Sequence, residues 1–302
     1  MLSTTTHSAP CGKKTMRNVT RLSFGAALLA LLPLVGCGQN LGLGGGAYTE
    51  SQVTLIVSST SGGAAAPGGA ETAVPTAIAG FGTVKGKVVV DGAAPALAML
   101  LAVGAPTKDA VCAIAGVPNE SVVADPAGGL ANVFIYLKKA PAGVVIPAFP
   151  EGKLNFDQKG CRYSPHAFIT RVGQTINITN SDPVAHNVHT MSNNKPLNAA
   201  LQGGDTKGTD LTYDRSETLP VRAVCDFHAW MDSYHLVVDH PWAAVSAADG
   251  TFEIKGVPAG KMEFIVWHEK IGYVERSLKV DVVPDNAVEL SLKVPAAKLV
   301  AK

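Results

Sequence analysis

The segment from Val221 to Met231 reads VRAVCDFHAWM and carries Cys225, His228 and Met231 in the spacing Cys-x-x-His-x-x-Met. Upstream, Asp182 to Thr190 reads DPVAHNVHT and offers His186 and His189. A thiolate, two imidazoles and a thioether form the donor set of a copper electron-transfer site. The thiolate favours Cu(I), imidazole suits both oxidation states, and a weak axial thioether completes a geometry between the preferences of the two. A short loop carrying three ligands closes at little entropic cost, while the first histidine comes from a separate strand. Zinc is the rival metal, but structural zinc takes Cys and His in paired clusters and methionine is a poor ligand for it. Four protein ligands would leave no open position for a substrate, so the residues point away from an enzyme.

His186 and His189 compete for the role of first ligand. Residues an odd number apart on a strand face opposite ways, so only one can face the loop. His186, at the end of the NSDPVA turn and followed by Asn187, is the expected ligand. His189 is then expected beside the site or at the surface. The remaining histidines, His166, His235, His240 and His268, read individually as core or surface residues, and a second metal site built from them is a minor alternative.

The cysteine count agrees with this set. Of five cysteines, Cys11 and Cys37 lie near the N-terminus, and Cys112, Cys161 and Cys225 lie in the body of the chain. With Cys225 held as a metal thiolate, Cys112 and Cys161 remain as a pair that can form a disulfide in an oxidising compartment. The alternative pairs one of them with Cys225 and removes the metal site.

The N-terminus suggests that compartment. Basic residues up to Arg21 precede an apolar run, Leu22 to Val35, too short for a membrane span of about 20 residues. The run ends in Leu34-Val35-Gly36-Cys37, which resembles a bacterial lipobox; that resemblance implies removal of residues 1–36 and lipid attachment at Cys37. Met16 is an alternative start, giving a leader of conventional proportions. Residues 37–80, rich in Gly, Ala, Ser and Pro, read as a tether that cannot bury enough side chain to order itself, with one strand-like stretch at Gln52 to Ser58. The expected location is an exported, lipid-anchored protein facing the periplasm or cell surface.

Composition supports an all-β body. The chain is 47% hydrophobic but only 6% aromatic, and turn residues recur between short apolar runs. A net charge of +1 gives no reason to expect nucleic acid as a partner.

Two resemblances sharpen this reading. Ala185-His186-Asn187-Val188-His189 and the Cys225–Met231 loop resemble the ligand segments of cupredoxins, most closely the amicyanin-like group, with Ala229 where that group has proline. Tyr163 to Asp182 is similar to the family's paired strands joined at a Val-Gly turn. The resemblance implies a Greek-key β-sandwich within 81–240 (core about 130–240) and one type 1 copper ion on His186, Cys225, His228 and Met231. It also implies that Asn187 bonds the two ligand segments together, and that single-electron transfer links a cytochrome or oxidoreductase, with amine oxidation as in methylamine utilisation. The family's second histidine exposes a ring edge in an apolar docking patch, here expected from His228, Ala229, Trp230, Pro183, Val184 and Ala185. Asp226 beside the cysteine is expected to place negative charge near the metal and lower its potential. The rival function is a surface adhesion or copper-handling lipoprotein.

The second resemblance covers 241–298. Asp249, Gly250, Phe252, Ile254, Gly256, Pro258 and Gly260 fit the hallmark of the carboxypeptidase regulatory-like, transthyretin-type sandwich, a non-catalytic module. Its strands are expected at Thr251 to Ile254, Met262 to Trp267, Ser277 to Val282 and Val288 to Leu292. Gly82 to Val89 either joins this sheet, with the cupredoxin inserted between, or precedes it in simple sequence. Gly128 to Lys139 reads as a strand of either sheet.

Overall fold

The computed structural model describes residues 79–300. The expectations for the leader, the start at Met16, the strand at Gln52 to Ser58, nearly all of the tether and lipidation at Cys37 therefore lie outside the described residues. No described helix is long and apolar enough to cross a membrane.

Among the described residues nearly all of the regular structure is β-sheet. The described part opens with β1 (Phe81–Asp91), passes through a four-residue helix α1 (Val111–Ile114), and continues into β2 (Phe134–Leu137), β3 (Leu154–Gln158), β4 (Tyr163–Ser164) and β5 (Ala167–Arg171). Next come β6 (Thr175–Asn180), β7 (His186–Thr190), β8 (Leu197–Leu201), β9 (Thr209–Thr212), β10 (Val221–Val224) and β11 (Asp232–Val238). The last strands are β12 (Ala243–Val245), β13 (Thr251–Pro258), β14 (Gly260–His268), β15 (Gly272–Val282) and β16 (Ala287–Pro295).

Two sandwiches result. In the first, sheet β4-β3-β6-β9 faces sheet β5-β11-β10-β7-β8, and Phe156, Ile176, Ile178, Val188, Leu211, Ala223 and Val237 fill the space between, together with Cys225 and Met231. In the second, β13-β1-β16 faces β12-β2-β14-β15 around Val84, Val88, Ile135, Ile254, Phe264, Val266 and Val294. β1 pairs antiparallel with β13 and parallel with β16. The Gly82 to Val89 strand thus joins the C-terminal sheet, and the first sandwich is inserted between β2 and β12.

The boundary near residue 130 needs correcting. β2 pairs with β12 and β14, so Phe134–Leu137 belongs to the second sandwich, and the sheets of the first run from Leu154 to Val238. Side chains explain the placement. Ile135 and Leu137 face one core, while Phe134 and Tyr136 on the opposite face join Leu236, Val238, Ile265 and Trp267 in a third cluster that binds β11 to β2 and β14. A strand buried on both faces needs a continuous apolar run rather than alternation, and FIYL supplies one.

The expected pairing across the Val-Gly turn also differs. β5 pairs in parallel with β11, whereas β6 pairs with β3 and β9, so Val172-Gly173 carries the chain from one sheet to the facing one.

The turn at Asp249-Gly250 shows why glycine is required there. Gly250 has φ +81°, a Cβ on it would lie 2.2 Å from the Val88 carbonyl oxygen, and its own carbonyl accepts the Val88 N–H at 2.9 Å. Gly250→Ala is expected to cost about 2 kcal/mol, read as a lower urea midpoint; an unchanged midpoint would contradict this packing.

His235 is a core residue of the first sandwich. It accepts from or donates to the Tyr213 hydroxyl at 2.8 Å and stacks on Phe168. Burial pushes its pKa from 6.5 down to about 3. Because the folded value is depressed, its contribution is complete above pH 6.5 and is lost as pH falls toward 3. Between pH 7 and 4 the wild type should lose roughly 3 kcal/mol more stability than His235→Gln. Equal losses in paired urea titrations would show that His235 does not govern the acid limb.

Candidate metal centre

His186 begins β7 and is fully buried, while His189 is about one-third exposed and bonds Asp226 Oδ1 at 3.1 Å. The strand therefore turns His186 inward and His189 outward. Cys225 follows β10 directly, and the loop to Met231 closes on itself through Met231 N–H to His228 O (2.9 Å) and Cys225 N–H to Met231 O (3.2 Å). These bonds shape the loop with Ala229 in place of proline. Cys225, His228 and Met231 are all buried.

The donor atoms of His186, Cys225 and His228 lie within 4.8 Å of one another. His186 Nδ1 and His228 Nδ1 are 2.9 Å apart, and Cys225 Sγ is 3.8 Å from His228 Nδ1. Both outer nitrogens are engaged. His186 Nε2 donates to Asp182 Oδ2 at 2.9 Å, and His228 Nε2 donates to Asp109 Oδ2 at 2.8 Å. Carboxylate partners of this kind fix the tautomer and orientation of a metal-binding imidazole and raise its basicity. With Met231 packed in the same cluster, the donor set fits copper and suits zinc poorly.

Charge inside the cluster is internally matched. Burial works against ionisation of Cys225, yet the bond from His186 and backbone N–H groups hold its thiol below the ordinary range. Burial likewise opposes a charged His186, but Asp182 and the Cys225 sulfur lift it to about 9. Burial first, and the neighbouring His186, lower His228 despite Asp109. Cys225 and His186 thus shift in the complementary directions of a sulfur and an imidazole that support each other's charged forms, while His228 is shifted toward its neutral form.

Asn187 joins the two ligand segments. Its Oδ1 accepts the Asp226 N–H at 2.7 Å and its Nδ2 donates to Asp226 Oδ2 at 2.9 Å. The Tyr163 hydroxyl donates to the Asn187 carbonyl. The Asp226 carboxylate is about half exposed and bonds Asn187, Asn198 and His189 on the outer side.

Cys112 and Cys161 form the disulfide. Asp182 and His186 approach Cys161 closely enough to make a second donor group, but the disulfide removes that sulfur as a thiolate ligand. A third group, His166, Asp232 and Glu269, lies between the sandwiches; its buried His166–Glu269 hydrogen bond ties β14's end to the turn before β5.

The expected docking edge is covered. His228 is 1% exposed because Asp109 and Cys112 lie over it; the Cys112 sulfur is 3.9 Å from Nε2. Ala229 and Pro183 are exposed, and Trp230, Val184 and Ala185 half-buried, while Phe227 presents 43% of its surface. Sequence reading missed Asp109. Its segment has no ligand-like spacing, and only the cysteine three residues on hinted that it was tied to the site.

No known family model matches this chain, and no curated protein matches it. Among solved structures it is similar in part to a purple cupredoxin from Nitrosopumilus maritimus, with 23% identity over 28% of this chain and 99% of that one, at a TM-score of 0.24. A reduced variant of amicyanin aligns at 19% identity over 31% of this chain and 96% of its own, at 0.26. A copper-containing nitrite reductase from Thermus scotoductus SA-01 aligns at 17% over 32% of this chain but only 25% of its own, at 0.27. These likenesses are partial, and the case for copper is made from the donor set.

Proposed function

We propose that the chain is an exported, lipid-anchored copper protein that carries single electrons, with one type 1 copper ion on His186, Cys225, His228 and Met231. The observation that carries this reading is the convergence of one thiolate and two inward Nδ1 atoms in a buried cluster that also contains a methionine. Copper, when bound, would cycle between Cu(I) and Cu(II). The chain's own residues hold the imidazoles by their outer carboxylates, exclude water by burial, and keep the loop closed by backbone bonds. A donor set fixed in this way changes little between oxidation states, which favours rapid transfer. No substrate position follows from the site, so the proposal is a carrier rather than an enzyme. Its partner is a redox protein, a cytochrome or an oxidoreductase of amine oxidation, docking near His228 on the side that exposes Phe227 and Ala229.

One observation favours the alternative of copper storage or a structural role: the cover over His228 removes the bare ring edge expected of a carrier. Voltammetry of the copper-loaded protein separates the two. A carrier gives a reversible one-electron wave with fast exchange; an adduct that neither reduces nor reoxidises readily would sink electron transfer and leave storage.

A further inference from the structure

His228 and Asp109 are 119 residues apart in sequence, so their contact is made by tertiary structure. The segment bearing Asp109 folds back on itself: Leu101 bridges Val117 and the Gly104 N–H reaches Ala113 O at 2.8 Å. Its short helix carries Cys112, which the disulfide fastens to Cys161. On the far side of that disulfide, the N–H groups of Gly160 and Cys161 donate to Asp182 at 2.6 and 2.7 Å, and Asp182 holds His186. One covalent staple thus stands between two carboxylates, each gripping the outer nitrogen of one histidine.

We propose that Asp109 is a positioning residue for this centre. It accepts the His228 Nε2–H hydrogen bond, fixes the ring with Nδ1 turned inward, and closes the cluster to water. The proposal rests on the copper reading above for its consequence toward metal, but the contact itself is a property of the metal-free chain. Three features support it. The His228 side chain is fully buried while the Asp109 side chain is only 28% exposed, so the bond is largely shielded from competing water. Lys108 reaches Asp109 only at 3.8 Å and is itself 62% exposed, too loose to draw the carboxylate away. The matching Asp182–His186 contact makes the arrangement two-sided, as expected where both imidazoles must present the same nitrogen.

The test uses the full mature chain with its disulfide intact, as wild type, Asp109→Ala and Asp109→Asn. Nitrogen-15 spectra of the metal-free proteins should show a slowly exchanging His228 Nε2–H in the wild type and lose it in Asp109→Ala. Chelator competition should show Asp109→Ala binding copper about ten- to a hundredfold more weakly. Asp109→Asn keeps an acceptor of the same shape without the charge, and should retain the protected proton with a smaller loss of affinity. It also serves if the alanine variant fails to fold. An unprotected ring proton in the wild type, or an Asp109→Ala protein with the same ring signals and copper affinity, would overturn the proposal. A wild-type chain that keeps the protected proton yet takes up no copper would overturn the copper reading alone and support the contact.

Discussion

Cys225→Ser is expected to abolish the intense thiolate-to-copper charge-transfer absorption of the loaded protein. Serine keeps a similar shape but supplies a hard, protonated oxygen in place of a soft thiolate. Its hydroxyl would not ionise beside His186, so the support that the Cys225 sulfur gives to a protonated His186 is lost as well. Copper affinity should fall by more than the roughly hundredfold that loss of a single outer partner costs, because a covalent ligand is lost. The fold should survive, since the cluster around Cys225 is packed by Val188, Ala223 and Val237. Absorption spectra and chelator titrations of the purified variant check both parts. Persistence of the band would remove Cys225 from the ligand set and return the cysteine pairing to an open question.

Removing the disulfide should have the largest effect on stability. Cys112 and Cys161 are 49 residues apart, and closing a loop of that length lowers the entropy of the unfolded chain by an amount worth about 4 kcal/mol. A double Cys112→Ser, Cys161→Ser variant should therefore show a much lower denaturant midpoint. The staple also fastens the Asp109 segment and fixes the turn whose N–H groups hold Asp182. Copper affinity should fall together with stability, although neither cysteine binds copper. Midpoints equal to wild type under non-reducing conditions would contradict the prediction, and a stability loss with unchanged affinity would separate the staple from the site.

Much of the centre could be read in the sequence because its information is local. Cys225, His228 and Met231 sit in one loop, and the inward and outward faces of His186 and His189 follow from the two-residue period of a strand. Asn187 was legible through the resemblance to the cupredoxin ligand segment, and the disulfide through the odd count of cysteines. The Asp249-Gly250 turn and the strands after it could also be placed from alternation and turn residues.

What was not legible depends on contacts between distant segments. FIYL reads equally well as a strand of either sandwich, and only the third cluster, formed with Leu236, Val238, Ile265 and Trp267, decides where it goes. β5 and β6 look like a hairpin because a Val-Gly turn separates them, yet their hydrogen bonds run to β11 and to β3 and β9. Asp109 carries no spacing signal at all. Its role arises because the disulfide brings an irregular segment over His228, and the same cover changes the expected docking surface from an exposed imidazole to the ground around Phe227.

On the proposed reading, the Cys225 sulfur and two imidazoles hold a single copper ion. A titration of Cu(II) into the metal-free protein, with absorption and electron paramagnetic resonance spectra recorded together, decides this. Saturation is expected at one equivalent, with a strong visible charge-transfer band and the narrow copper hyperfine splitting of a covalent copper–thiolate bond. Weak absorption with the wide splitting of an ordinary tetragonal nitrogen and oxygen site, or saturation without any signal from Cys225, would contradict it.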